Sequence, residues 1–305
     1  MITRHDVEAA AARIRGTVRR TPVLALGSGG WFKLEQTQHT GTFKARGAMN
    51  RVLSSQEAGE LDPAIGITIA SGGNAGLANA WAARAAGVPA TVFVPSITSQ
   101  AKLDRLAASG AEVVIAGEEY IQAHEAAVEH AARTGAVLNH AYDQLEICAG
   151  AGTLGLELLE QCEGVDTVLL AVGGGGLMAG VATALGDRAK VVGVEPELAP
   201  TLHGALVAGE PVDVTVGGVA ADSLGARRLG GIAWAAAQRQ DVGCVLVTED
   251  AIVEARQWLW GEHRLVVETG AAVPVAALRS GSYRPADGER VAVVLCGANT
   301  DPSDL

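Results

Sequence analysis

The sequence predicts an α/β protein: two doubly wound parallel-sheet domains facing each other across a cleft. Three observations carry this reading. Short, continuous apolar runs recur along the chain, each followed by a segment of helical length and pattern. Uninterrupted apolar strands between amphipathic helices belong to parallel sheets covered on both faces. A chain of 305 residues exceeds what one core usually serves and suits two domains or one large one. Third, the strand–helix junctions are rich in glycine, and open parallel sheets bind ligands outside the carboxyl ends of their strands.

In chain order, MITRHDVEAAAARIRG opens as a charged helix, with Thr3 as its cap and Asp6 completing a capping-box-like pair. FKLEQTQHT reads as a short strand followed by polar residues, and GTFKARGAMN as a loop entering a helix. IGITIA (65–70), ATVFVP (90–95) and AEVVIAG (111–117) are strands. The helices LANAWAARAAG, SQAKLDRLAASG and EEYIQAHEAAVEHAARTG follow them in turn. Residues 51–143 are therefore expected to form the small domain, and residues 1–50 with 144–305 the large one. The second set runs through GTLGLELLEQC, TVLLAVGGGG, LMAGVATALG, KVVGVEP, VGCVLVT (242–248) and EDAIVEARQWLWGEH to the final strand RVAVVLCGAN (290–299).

Composition excludes several classes. The formal net charge is −11 without a basic cluster, which argues against nucleic acid or an anionic membrane as partner. There is no apolar run of transmembrane length and no signal peptide, so a cytoplasmic protein is expected. The four cysteines (Cys148, Cys162, Cys244, Cys296) contain no CxxC pair and suit no zinc site. The histidines form no HExxH or triad pattern, and scattered core or surface roles fit them best. Aromatic residues are scarce while Ala and Gly abound, a composition that lets backbone approach a ligand closely.

Chemistry concentrates in three places. VGGGGLMAG (172–180) follows a strand and opens a helix, so bare backbone N–H groups can converge on a phosphate where the helix dipole also favours negative charge. No GK[ST] follows, so this is not a Walker loop, and Gly173, Gly175 and Met178 break the dinucleotide pattern. Glu195, about 20 residues on, keeps a dinucleotide reading open at this point. Lys44 lies among glycines at a junction: a solvated loop lysine, or an amine desolvated into a nucleophile. The Gly-Gly-Asn turn at 72–74 can present several donors to a carboxylate.

Taken together and in order, KLEQTQHTGTFKARGA, ASGGNAG, VGGGGLMAG, VGVEP and VLCGAN resemble the fold type II pyridoxal-phosphate enzymes, the tryptophan synthase β type of fold. The similarity is greatest to the serine/threonine dehydratases (ammonia-lyases), with serine racemase nearby, and covers nearly the whole chain. The resemblance implies pyridoxal 5′-phosphate in the cleft, joined to Lys44 as a Schiff base, with Phe43 beside the ring. It implies that Gly173, Gly174, Gly175 and Gly176, with Leu177 opening the helix, hold the phosphate. It puts Cys296 next to the pyridine nitrogen, where a neutral thiol makes a milder electron sink than an aspartate would. It assigns Ser71, Gly72, Gly73, Asn74 and Ala75 to the substrate carboxylate, Asn74 also contacting the ring hydroxyl.

The chain departs from the family at several positions. Ala75 stands where His is common, Ala151 where Gln is common, and Ser223 where Gly is usual. Gly72 stands where serine racemase has the serine that acts as second acid/base, which favours elimination over racemisation. Glu195, Ala199 and Thr201 correspond to a divalent-cation site in some relatives, but one carboxylate among neutral oxygens is a poor cage, so no metal is expected. Arg46 is read as structural. The implied activity is conversion of a β-hydroxy amino acid, L-threonine or L-serine most simply, to a 2-oxo acid and ammonia. Alternatives are a bulkier 3-hydroxy amino acid, racemisation or β-replacement and, from another class, nucleotide binding through the glycine loop and Glu195. A homodimer without an appended effector domain is expected.

Overall fold

The computed structural model describes residues 1–27 and 29–305. Ten strands form two sheets: β1 (Val23–Leu26), β2 (Gly30–Lys33), β3 (Ile67–Ala70), β4 (Ala90–Val94), β5 (Glu112–Ile115), β6 (Val137–Asn139), β7 (Thr167–Ala171), β8 (Lys190–Pro196), β9 (Gly243–Val247) and β10 (Val291–Val294). One sheet has the order β1-β2-β10-β7-β8-β9 and the other β5-β4-β3-β6. All neighbours pair in parallel except β1 with β2. Around them lie α1 (Arg4–Arg13), α2 (Lys44–Glu57), α3 (Asn74–Ala85), α4 (Gln100–Ala108), α5 (Tyr120–Thr134), α6 (Leu145–Gln161), α7 (Gly176–Leu185), α8 (Thr201–Ala208), α9 (Gly231–Arg239), α10 (Glu249–His263) and α11 (Thr269–Ser280).

The central strands β3, β4, β7 and β10 are buried along their whole length, as continuous apolar runs dictate. Strands β7, β8 and β9 progress in one direction and β10 returns to the other side of β7. Likewise β3, β4 and β5 progress one way and β6 returns beside β3. Each sheet therefore has one topological switch point, at β7/β10 and at β3/β6. Adjacent loops diverge there and open a crevice at the carboxyl ends of the strands.

Thr3 and Asp6 make the expected reciprocal capping box on α1. Five elements escaped the sequence reading, among them α8 and α9 on either side of the 209–230 loop. β1 is an antiparallel edge strand with exposed central residues, β6 has only three residues, and α11 carries Pro274 in its interior. The boundary expected between residues 50 and 51 falls within α2, which packs Ala48, Met49 and Val52 into a core shared with Ile67 and Val137 of the smaller sheet.

Helices α6 and α7 cross at Gly152 and Gly180. A Cβ at Gly180 would lie 2.2 Å from the Cys148 carbonyl oxygen and 2.5 Å from the Gly152 nitrogen. Both neighbours are backbone and cannot rotate away. Gly180→Ala is expected to destabilise the protein by about 1–3 kcal/mol through overpacking, read as a lowered denaturant midpoint; an unchanged midpoint would show that the helices separate freely.

Arg46 is buried on α2 and donates to Glu35 and Glu157, at 2.8 and 2.7 Å. Lys33, equally buried, also donates to Glu157. Burial would push the Glu35 carboxyl up, but the Arg46 guanidinium beside it holds it below its ordinary value. The structural role expected of Arg46 is that of a hub joining β2, α2 and α6.

Candidate active site

The loops after β7, β10, β3 and β6 converge on one cavity of roughly 730 Å³, counting the space at its mouth. Lys44 reaches it by a specific backbone route. Thr40 and Gly41 both adopt positive φ, 60° and 71°, which turns the chain sharply before α2. For a β-branched residue this conformation is strained, and Asn299 holds it by donating from Nδ2 to the Thr40 carbonyl at 2.8 Å. The segment after β10 continues the restraint. Ala298 N donates to Gly41 O, Phe43 N donates to Cys296 O, and Thr42 bridges Gly297.

Lys44 is thus the first residue of α2, with its side chain directed into the cavity. Its Nζ donates to the Ala141 carbonyl at 3.1 Å and lies 5.0 Å from the centroid of the Phe43 ring. Burial lowers its pKa, against the opposing pull of Cys296, Glu268 and Cys148. Of the two readings of this lysine, the structure shows the desolvated amine. Cys296 is buried beside it, and burial raises the thiol's pKa so that it stays neutral.

The glycine loop has two physical demands on it. A Cβ at Gly174 would sit 2.3 Å from the Tyr142 ring, and one at Gly176 would sit 2.6 Å from the Tyr142 carbonyl oxygen. Gly175 adopts φ 86° and caps α7 without a side chain. Close packing against Tyr142 therefore requires glycine independently of any ligand. The backbone N–H groups of residues 174–177 nevertheless donate to no group among the described residues, and these residues line the cavity. Free donors at a helix N-terminus make an anion cradle. Together with a buried amine and a neutral thiol, the cradle fits pyridoxal phosphate.

Residues 71–75 run from β3 into α3. Ser71 Oγ accepts from Gly73 N at 3.3 Å. A Cβ at Gly72 would approach Thr98 Cγ2 to 3.0 Å, so a side chain there would crowd Thr98. Ala75 and Ala151 both line the cavity. Asn74 is held across the cleft: its Nδ2 lies 2.9 Å from both carboxylate oxygens of Glu268, and its Oδ1 accepts from Asn299 Nδ2 at 2.6 Å and keeps a second lone pair. Phe43, Lys44, Asn74, Ala75, Gly173, Gly174, Gly175, Gly176, Leu177 and Cys296 all share the cavity. Ser71, Gly72 and Gly73 line the wider cleft outside it, with Lys44 and Asn74 at the join.

Glu268 went unnoticed in the sequence. It is 6% exposed, lines the cavity and stands at the N-cap position of α11. A lone carboxylate inside LVVETGAAV is the signal that could have found it, since an unpaired charge is seldom buried without a role. Tyr142 and His140 were also passed over as cavity residues. His140 Nδ1 accepts from the N–H groups of Tyr142 and Asp143, at 3.2 and 2.8 Å, and burial lowers its pKa. The ring is a neutral acceptor that shapes the loop.

Glu195 is fully buried and its carboxylate is occupied: it accepts from Leu202 N, His203 N, Thr201 Oγ1 and Cys244 Sγ. Burial raises its pKa. Ala199 is buried alongside, and the Thr201 hydroxyl, with one hydrogen to give, lies within reach of both Glu195 and the Gly173 carbonyl. Among the described residues no group of three or more His, Cys, Asp or Glu side chains could hold a metal ion. The same occupancy removes Glu195 as a ribose acceptor, which a dinucleotide site at this loop would need. No described helix is long and apolar enough to cross a membrane.

Comparison with known proteins agrees with this geometry. The family described as "Pyridoxal-phosphate dependent enzyme" matches residues 14–297. The chain is 37% identical to the L-threonine ammonia-lyase of Geobacter sulfurreducens over 97% of its own length and 75% of that protein. It is 36% identical to the phenylserine dehydratase of Ralstonia pickettii, over 95% and 91% respectively. The structure of the threonine deaminase from T.th. superposes with a TM-score of 0.89 at 36% identity, covering 99% of both chains. Maize serine racemase superposes with a TM-score of 0.91 at 27% identity, covering 99% of this chain and 94% of its own.

Proposed function

This chain belongs to the pyridoxal-phosphate-dependent enzymes, and we propose that it is an ammonia-lyase converting L-threonine or L-serine to a 2-oxo acid and ammonia. The observation that carries the reading is the meeting, in one cavity, of the buried Lys44 amine, the free N–H groups of residues 174–177 and the neutral Cys296 thiol. Lys44 would hold the cofactor covalently, the glycine loop and Leu177 its phosphate, Cys296 its ring nitrogen, Phe43 its ring and Asn74 its hydroxyl. When bound, pyridoxal phosphate supplies the electron sink that acidifies the α-C–H bond of an amino acid.

The protein's own residues do the rest. Residues 71–75 offer a hydroxyl and backbone N–H groups to the substrate carboxylate and so orient the α-C–H bond. Lys44, whose pKa burial lowers, is the base that would take the α-proton. The proton held by Lys44 would return either to Cα, restoring an amino acid, or to the β-hydroxyl, which then departs as water; the enamine so released takes up water to give the 2-oxo acid and ammonia. The absence of a hydroxyl at Gly72 supports elimination over racemisation. Residues 1–50 with 144–305, and residues 51–143, are read as the two domains, each built on one sheet. A homodimer and a cytoplasmic location complete the reading.

A second substrate class is favoured by a specific observation. Ala75 and Ala151 keep short side chains on the cavity wall, which leaves room for an aromatic 3-hydroxy amino acid, and the phenylserine dehydratase relative lends support. The test is 2-oxo acid release by protein reconstituted with pyridoxal phosphate, supplied in turn with L-threonine, L-serine and phenylserine, with the visible spectrum recorded. Release from the first two is the expected result. Release from phenylserine alone moves the assignment to the bulkier class, and inverted amino acid without 2-oxo acid overturns it in favour of a racemase.

A further inference from the structure

Elimination makes a demand beyond the base and the carboxylate loop. When the Cβ–O bond breaks, the oxygen keeps both electrons, and a hydrogen-bond donor aimed at it lowers the barrier. The neutral side-chain hydroxyls on the cavity wall are those of Ser223 and Tyr142. Ser223 Oγ is turned to the Ala220 carbonyl at 3.4 Å. Of the chain's three tyrosines, Tyr283 alone hydrogen-bonds through its hydroxyl among the described residues. The amides are engaged elsewhere. Asn74 is held by Glu268 and Asn299, while Asn79 donates to the Ala75 carbonyl at 2.9 Å and accepts from Asn139 at 2.6 Å. The His140 ring is enclosed by His124 and Tyr142, edge-on to them at 6.3 and 4.7 Å.

Tyr142 is also firmly placed. Its N–H donates to His140 Nδ1 at 3.2 Å, and its carbonyl accepts from Cys148 Sγ at 3.1 Å. The root of its ring lies on the glycine loop: a Cβ at Gly174 would sit 2.3 Å from Cγ and Cδ2 and 2.4 Å from Cδ1. The near end of the ring is therefore pinned, and the hydroxyl end is left without a protein partner. Tyr142 lines both the cavity and the wider cleft, as Lys44 and Asn74 do. The residue before it, Ala141, supplies the carbonyl that Lys44 Nζ meets. One short segment thus addresses both the base and the cleft. Tyr120 of α5 lines the cleft but not the cavity. Burial raises the pKa of both phenols, so each faces the cleft as a neutral donor.

We propose that the Tyr142 hydroxyl donates a hydrogen bond to the β-oxygen of the substrate as the Cβ–O bond breaks. The proposal rests on the lyase reading above and gives the leaving group its own residue. The electron pair of the α-C–H bond becomes the second bond between Cα and Cβ. The Cβ–O pair leaves with the oxygen, and the α-proton carried by Lys44 completes the water. Tyr142 keeps its own proton throughout and shares the negative charge that the oxygen carries until the Lys44 proton arrives.

The test compares wild-type holoenzyme with Tyr142→Phe on L-serine and on β-chloro-L-alanine. The two compounds present the same amine and carboxylate and yield the same 2-oxo acid. Chloride, however, departs as a stable anion and needs no donor. Tyr142→Phe keeps the ring, and with it the packing on Gly174, and removes a hydroxyl that touches no protein partner, so the fold is expected to be unchanged. The ratio of kcat on L-serine to kcat on β-chloro-L-alanine is expected to fall about 10- to 100-fold, as loss of one hydrogen bond to a charged oxygen implies. Tyr120→Phe removes the other phenol of the cleft and is expected to leave that ratio unchanged. A ratio that holds in Tyr142→Phe, or that moves as far in Tyr120→Phe, overturns the proposal, as does a wild type that consumes the chloride alone. A wild type that releases 2-oxo acid from neither compound overturns the lyase reading and the proposal with it. Release from both, with the two rates of Tyr142→Phe falling together, leaves the lyase reading standing and removes Tyr142 from the chemistry.

Discussion

Replacing Lys44 by alanine is expected to lower turnover by about 10³-fold or more, since it removes both the proposed covalent hold on the cofactor and the proposed base for the α-proton. The fold is expected to survive. The Lys44 amine makes a single hydrogen bond to protein, to the Ala141 carbonyl, and the variant trims a desolvated amine rather than a packed apolar group. Steady-state 2-oxo acid release, with the denaturation midpoint measured alongside, separates the two effects. Full turnover by Lys44→Ala protein with bound cofactor would reject the assigned role. Adding a small primary amine is expected to restore part of the lost rate, because the cavity around Lys44 stays open once the side chain is shortened.

The largest expected effect on stability lies elsewhere, at Arg46. Arg46→Met retains much of the volume but strands Glu35, which is fully buried and takes its charged partner from Arg46. Removing one partner of a buried ion pair costs about 3–5 kcal/mol, because the remaining charge loses its hydrogen-bonded counterion and gains no water. The loss is sharpened here by the network: Glu157 would be left with Lys33 alone. Equilibrium unfolding in urea measures it. Replacing Arg46 and Glu35 together, by Met and Gln, is expected to recover part of the loss; if the double variant is no better than the single one, the charge of Glu35 is not the cause. As an acidic variant of the same test, lowering pH is expected to narrow the gap between wild type and Arg46→Met, since protonated Glu35 needs no partner, and Arg46, ahead of Lys33 and Thr21, holds the folded-state pKa of Glu35 down.

Much of the site was readable along the chain because it is local. The glycine loop, the Gly-Gly-Asn turn and the lysine at a strand–helix junction are each contained within about ten residues, and each sits where a parallel strand ends. Phe43, Lys44, Asn74, the four glycines, Leu177 and Cys296 accordingly fall on one cavity. The central strands were readable for a similar reason: burial on both faces leaves a continuous apolar run. β1 was hidden because an edge strand has exposed residues, β6 because three residues carry no pattern, and α11 because an interior proline reads as a break.

Glu268, Tyr142 and Asn299 belong to a different kind of information. Glu268 meets Asn74 across 194 positions of sequence and Asn299 meets it across 225. Tyr142 closes on the glycine loop only because β6 returns beside β3 while β10 returns beside β7. Periodicity and local motifs determined, by themselves, which segments become the central strands, where the bare N–H donors of the glycine loop lie and which lysine stands at a strand–helix junction. The order in which strands join a sheet decided which distant side chains share the cavity, which glycines are demanded by packing, and which carboxylate is desolvated. Those outcomes depend on burial and on pairwise distance, and neither exists until the two sheets have formed and closed on each other.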